Sequence, residues 1–121
     1  MLLNDFFHIH DIQTTDKYTV AIVLNAKHTI YDGHFPNNPI TPGVCMTQML
    51  KESVEQITQK KLQLVNASNL KFMAVLNPEV HPKAVITITL KDKGDERIHA
   101  EGNIAAGEVV FFSFKGSFKE Q

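Results

Sequence analysis

Three of the five prolines in this chain fall within seven residues, at Pro36, Pro39 and Pro42. Proline fixes φ and restricts the residue before it, so the stretch is stiff and extended. It then feeds a helix, expected from Pro42 to about Gln59. Pro42 suits the first helical position, where its missing N–H costs nothing, and Thr41 suits the N-cap. The first turn, Val44-Cys45-Met46, is apolar on all sides and implies a buried helix start. Beyond it Met49, Leu50, Ser53 and Ile57 share one face at helical spacing, with Lys51, Glu55 and Thr58 roughly opposite. Gln48 and Glu52, four apart, stack on the border of the apolar face and are expected to look into a cleft. The free N–H groups of a helix N-terminus carry partial positive charge and can bind an oxyanion or polarise a carbonyl.

The rest of the chain reads as strand. Phe6 to Ile12 and Tyr18 to Leu24 precede the loop, with a turn at Asp16-Lys17. Leu64 to Leu76 follows the helix and is interrupted near Asn66-Ala67-Ser68-Asn69; Asn77-Pro78 ends it. Ala84 to Leu90 alternates with period two. Ile98 to Ala105 and Val109 to Phe118 form a last hairpin around Ala106-Gly107-Glu108. One long helix among this many strands is an α+β layout in which an antiparallel sheet covers the helix. Residues 1–121 are expected to form one domain. One helix cannot cover both faces of so large a sheet, so an exposed face or edge should pair with another copy.

Composition narrows the function. A formal net charge of −1 gives no reason to expect nucleic acid as a partner. The single cysteine, Cys45, excludes an intrachain disulfide and fits the cytoplasm. The N-terminus lacks a secretory pattern, and no apolar run approaches membrane-spanning length, so no membrane insertion is expected.

His34 is the leading candidate for chemistry. A neutral imidazole on a rigid loop, close in sequence to a helix N-terminus, can accept a proton near neutral pH. Alone it reads more readily as a structural loop histidine; the surrounding motif decides. Cys45 sits where a thiol pKa falls, but its apolar setting suits a core or pocket-lining residue. His8 and His10 alternate onto one strand face without an evident third ligand, so no metal is expected. Lys51, Lys60, Lys61 and Lys71 form either a landing patch for an acidic carrier or a solvated face. Phe35, Met46, Met49 and Phe72 line a ligand tunnel or fill the core.

Gly33-His34-Phe35-Pro36-x-x-Pro39-x-x-Pro42-Gly43-Val44 closely resembles the signature of the 3-hydroxyacyl-[acyl carrier protein] dehydratases of the hot-dog fold. Leu70-Lys71-Phe72 and Leu76-Asn77-Pro78 extend the likeness. The resemblance implies a long central helix wrapped by an antiparallel sheet of about five to six strands. It implies a homodimer or trimer of dimers, or a heterodimer with a related subunit, with sites at the interface. It implies dehydration of a (3R)-hydroxyacyl thioester to a trans-2-enoyl thioester without a cofactor, the carrier being acyl carrier protein or coenzyme A. His34 corresponds to the base that takes the α-proton. The Gly43 amide corresponds to the donor to the thioester carbonyl; Val44, Phe35, Cys45 and Phe72 are expected to bind substrate beside it.

The family's acid stands fourteen positions after its histidine; here that position is Gln48. An amide can hold a hydroxyl but cannot supply its proton. The family often has glutamine one turn later, where this chain has Glu52. Four readings follow: Glu52 is the acid of a rearranged site; a related partner supplies the acid; His34 and water alone dehydrate slowly; or the chain binds thioesters without turning them over. A hot-dog thioesterase, with Glu52 activating water, is a further alternative.

Overall fold

The computed structural model describes residues 1–32 and 38–121. Strands β1 (Phe7–Thr14) and β2 (Tyr18–Leu24) precede a 3-10 turn at Thr29–Tyr31 and the helix α1 (Gly43–Thr58). Strands β3 (Leu62–Phe72), β4 (Lys83–Lys91), β5 (Ile98–Ala106) and β6 (Val109–Glu120) follow. The six strands form one sheet in the order β1-β2-β4-β5-β6-β3, every neighbouring pair antiparallel. The expected α+β layout is what forms.

Period-two alternation explains which face meets the helix. In β2, Val20, Ile22 and Leu24 are buried; in β4, Ala84, Ile86 and Ile88 are. The register sets Val20 opposite Ile86 and Ile22 opposite Ala84, so their side chains share the inner face. Helix α1 lays Met49, Leu50, Ser53 and Val54 into this face. Ser53 satisfies its buried hydroxyl by donating to the Met49 carbonyl at 2.8 Å. Gly102 of β5 lets the helix come close: a Cβ there would lie 3.2 Å from Leu50 Cδ1 and 2.5 Å from the Thr87 carbonyl oxygen. Phe114 and Phe118 of β6 stack with ring centroids 5.7 Å apart.

Several sequence expectations shift. The N-cap is Pro42, in extended conformation at ψ 145°, and among the described residues no side chain caps the helix. Thr41 does not cap because its hydroxyl is hydrogen-bonded to the Tyr31 hydroxyl at 2.9 Å. The helix start is not buried all round: Cys45 and Met46 are, but Val44 is 76% exposed. The interruption expected in β3 takes the form of register shifts between Leu64 and Asn66 and between Ala67 and Asn69. Such shifts bend a strand without ending its pairing. A register shift between Ile9 and Asp11 in β1 leaves His10 out of the regular pairing with β2. No group of three or more metal-ligating side chains converges among the described residues. Among the described residues no helix is long and apolar enough to cross a membrane.

The N-terminal residues form a turn that the sequence did not announce. The N–H groups of Asp5 and Phe6 donate to the Leu2 carbonyl at 3.1 and 2.8 Å, and Asn4 adopts φ 71°. Phe6 is buried and stacks on Tyr31 with centroids 5.4 Å apart. This turn therefore packs under the segment that leads toward His34.

Burial pushes the Tyr31 phenol up to about 12, only partly offset by the bond to Thr41. An unfolded tyrosine ionises near pH 10. Between these values only the unfolded chain loses its proton, so stability is full below pH 10 and falls as pH rises toward 12. Tyr31→Phe is expected to flatten the chain's stability curve in that window. Denaturant midpoints at pH 9, 10 and 11 test this; parallel curves for the two proteins would reject it.

Candidate functional site

The sequence converges on the start of α1. A helix leaves its first N–H groups without intrahelical partners. Here the Pro42 carbonyl accepts from Cys45 and Met46 at 3.0 and 3.2 Å, while among the described residues Gly43 and Val44 N–H have no acceptor. No acidic residue lies in the first turn to offset the dipole. The terminus is held in place by the Thr41 N–H, which donates to the Leu76 carbonyl at 2.9 Å.

Phe72, at the end of β3, packs on the Gly43 Cα. A Cβ at Gly43 would lie 2.7 Å from two of its ring carbons. Glycine is thus what lets an aromatic ring lie flat against the helix start. Phe72 also stacks on Phe112 at 5.2 Å, yet stays 52% exposed. Val44, Phe72, Met73 and Val75, from the segments that meet here, are all exposed apolar residues. Such a fringe around free N–H groups suits an acyl chain ending in a polarisable carbonyl. Met73 and Val75 were not singled out from sequence, because an apolar residue in a strand-like run reads as core.

Of the other expected site residues, Cys45 is buried, and desolvation pushes its thiol up, away from the thiolate form. That setting suits a core or pocket-lining residue. Met46 and Met49 are core. His34 and Phe35 lie outside the described residues, and the expectations for them stand as they were.

Gln48 and Glu52 are brought together. Gln48 Nε2 donates to Glu52 Oε2 at 2.8 Å. The Leu2 N–H donates to both Glu52 oxygens, at 3.0 and 2.9 Å, and the Leu3 N–H to Oε1 at 2.8 Å. Glu52 is 1% exposed and pairs with no cation among the described residues. Both residues line one groove of about 370 Å³, as expected from their spacing. The Glu52 oxygens, however, face N–H groups of the N-terminal turn and of Gln48. That is an acceptor's position; a proton on either oxygen would displace one of these donors. The acid role expected for Glu52 gains no support from this geometry. Sequence could not show it, since two of the three donors are backbone groups about fifty residues away.

Lys51, Lys60 and Lys61 share this groove, but Lys71 stands elsewhere, opposite Ser113 on β3, so the four lysines do not form one patch. Lys51 lies 3.9 Å from Glu55, and Lys60 3.7 Å from Glu120.

A single helix against a six-stranded antiparallel sheet, with an uncapped helix start fringed by apolar side chains, is the hot-dog architecture. Residues 10–110 match the ApeI-like family, described as ApeI dehydratase, and the chain belongs to that family. No curated protein matches the sequence. Among solved structures it is similar to the dehydratase heterocomplex ApeI:P from Xenorhabdus doucetiae, at 14% identity and TM-score 0.69, covering 93% of this chain and 96% of that one. It is also similar to an uncharacterized protein from Erwinia carotovora subsp. atroseptica, at 20% identity and TM-score 0.53, covering 93% and 90%. A conserved protein from Pseudomonas aeruginosa shows 8% identity and TM-score 0.63, covering 92% and 87%.

Proposed function

We propose that this chain is the base-supplying, thioester-binding subunit of a two-chain dehydratase. The complex would convert a (3R)-hydroxyacyl thioester, carried by acyl carrier protein or coenzyme A, to the trans-2-enoyl thioester. His34 takes the α-proton. The Gly43 N–H receives the thioester oxygen as enolate charge develops on it. The bond between the β-carbon and the hydroxyl then breaks, and an acid on the partner subunit supplies the proton that makes the leaving group water. No cofactor is needed, since the step changes no oxidation state.

The observation that carries this reading is the engagement of Glu52. The position expected to hold the acid is an amide, and the carboxylate one turn later is already bound by three N–H groups. Strand β3 supports it too. It lies at the sheet edge, eleven residues long, with Leu64, Val65, Leu70 and Phe72 exposed. An open apolar edge of that length invites another sheet. A similar hot-dog dimer partner there would cover the apolar fringe at the helix start. The Xenorhabdus doucetiae neighbour is itself a dehydratase heterocomplex.

The chain alone is expected to sediment as a dimer or larger, and to form little enoyl product. Co-expressed with a hot-dog protein that carries a histidine and an acid at the two family positions, it should co-purify and turn over hydroxyacyl thioester. Full activity of the purified chain alone would overturn the partner-supplied acid. Release of free thiol without enoyl product would point to a thioesterase instead.

A further inference from the structure

A buried carboxylate without a cation needs a reason, because burying charge is costly unless hydrogen bonds replace water. Glu52 has four hydrogen-bond contacts from three donors, all from groups the catalytic scheme does not otherwise employ. Two consequences follow from donor chemistry alone. A carboxylate only accepts, so the nitrogen end of the Gln48 amide must face Glu52. The Gln48 carbonyl oxygen is then turned the other way; among the described residues no donor reaches it, and Gln48 is half-buried along the groove. The N-terminal turn, tied to Glu52 through Leu2 and Leu3, stands beside it.

We propose that Glu52 is a positioning residue: it locks the Gln48 amide with its oxygen presented as an acceptor for the 3-hydroxyl of the substrate. The family's acid position thereby becomes a selector for a hydroxyl donor. A ligand with hydrogen at that carbon leaves the Gln48 oxygen unmatched, while a hydroxyl satisfies it. The substrate half of this inference rests on the thioester reading above; the locking of the amide does not.

The test uses the full-length chain with and without its partner. In side-chain amide NMR spectra, the two Nε2 protons of Gln48 should differ widely in shift, one being bonded to a carboxylate. Glu52→Gln should collapse that difference and speed amide exchange at Leu2 and Leu3. Glu52→Asp, which keeps the charge on a shorter arm, should restore part of it. Non-hydrolysable thioester analogues with and without the 3-hydroxyl supply the second readout. Their affinity ratio should fall about five- to tenfold in Gln48→Ala, the worth of one hydrogen bond. It should fall equally in Glu52→Gln, and no further in the double variant. An unchanged Gln48 signature in Glu52→Gln overturns the proposal, as do additive losses in the double variant. Intact amide signatures in a parent that binds no thioester would overturn the thioester reading and leave the lock standing.

Discussion

His34→Ala is expected to lower enoyl formation by the assembled dehydratase about 10²–10⁴-fold, the usual contribution of a positioned general base. The loss should lie in turnover, with analogue affinity changed only slightly, because in the proposed scheme the acyl chain and carbonyl would be held by Phe72, Val44 and the Gly43 N–H. The α-proton of a thioester is weakly acidic, and no other side chain in the Gly33–Val44 motif has a pKa near neutrality. Stopped-flow or coupled measurement of enoyl thioester, with circular dichroism to confirm folding, gives the answer. A rate within threefold of the parent would remove His34 from the mechanism.

Glu52→Ala is expected to cost about 3 kcal/mol of stability, since it strands three N–H donors, each worth roughly 1–3 kcal/mol when left unmet, with some recovery through water. For a chain of this size that corresponds to a fall on the order of 10 °C in melting temperature. The damage should begin at the N-terminus: Leu2 and Leu3 lose their acceptor, and the turn that buries Phe6 under Tyr31 loosens. Thermal melts and hydrogen exchange at residues 2–7 measure both effects. A melting temperature within 2 °C of the parent would mean that Glu52 holds nothing together, and would reopen its candidacy as the acid.

Sequence reasoning worked where the signals were local and stopped where contacts join distant segments. Strand positions, the single helix and its buried face were legible because they rest on short-range periodicity: Val20, Ile22 and Leu24 repeat every second residue, and Met49, Leu50 and Ser53 share a helical stripe. The bulges of β3 fell where asparagine and serine interrupt the strand pattern. The position of the helix start was legible too, since prolines before it and a glycine at its first turn are local signals. The Thr41 cap was misread because a local rule lost to a tertiary contact, the hydroxyl of Tyr31.

What the sequence by itself determined was therefore the α+β fold, the family signature around His34 and Gly43, and the absence of an acid at Gln48. Each follows from residues close together in the chain. Only the tertiary structure shows what Glu52 touches beyond Gln48. Its partners are the backbone N–H groups of Leu2 and Leu3, and backbone groups carry no residue identity that a sequence could display. The same holds for Phe72, whose place against Gly43 depends on how β3 crosses the helix start. Contacts between distant segments are set by packing of the whole sheet, and that is why the shape of the site became readable only with the fold in hand.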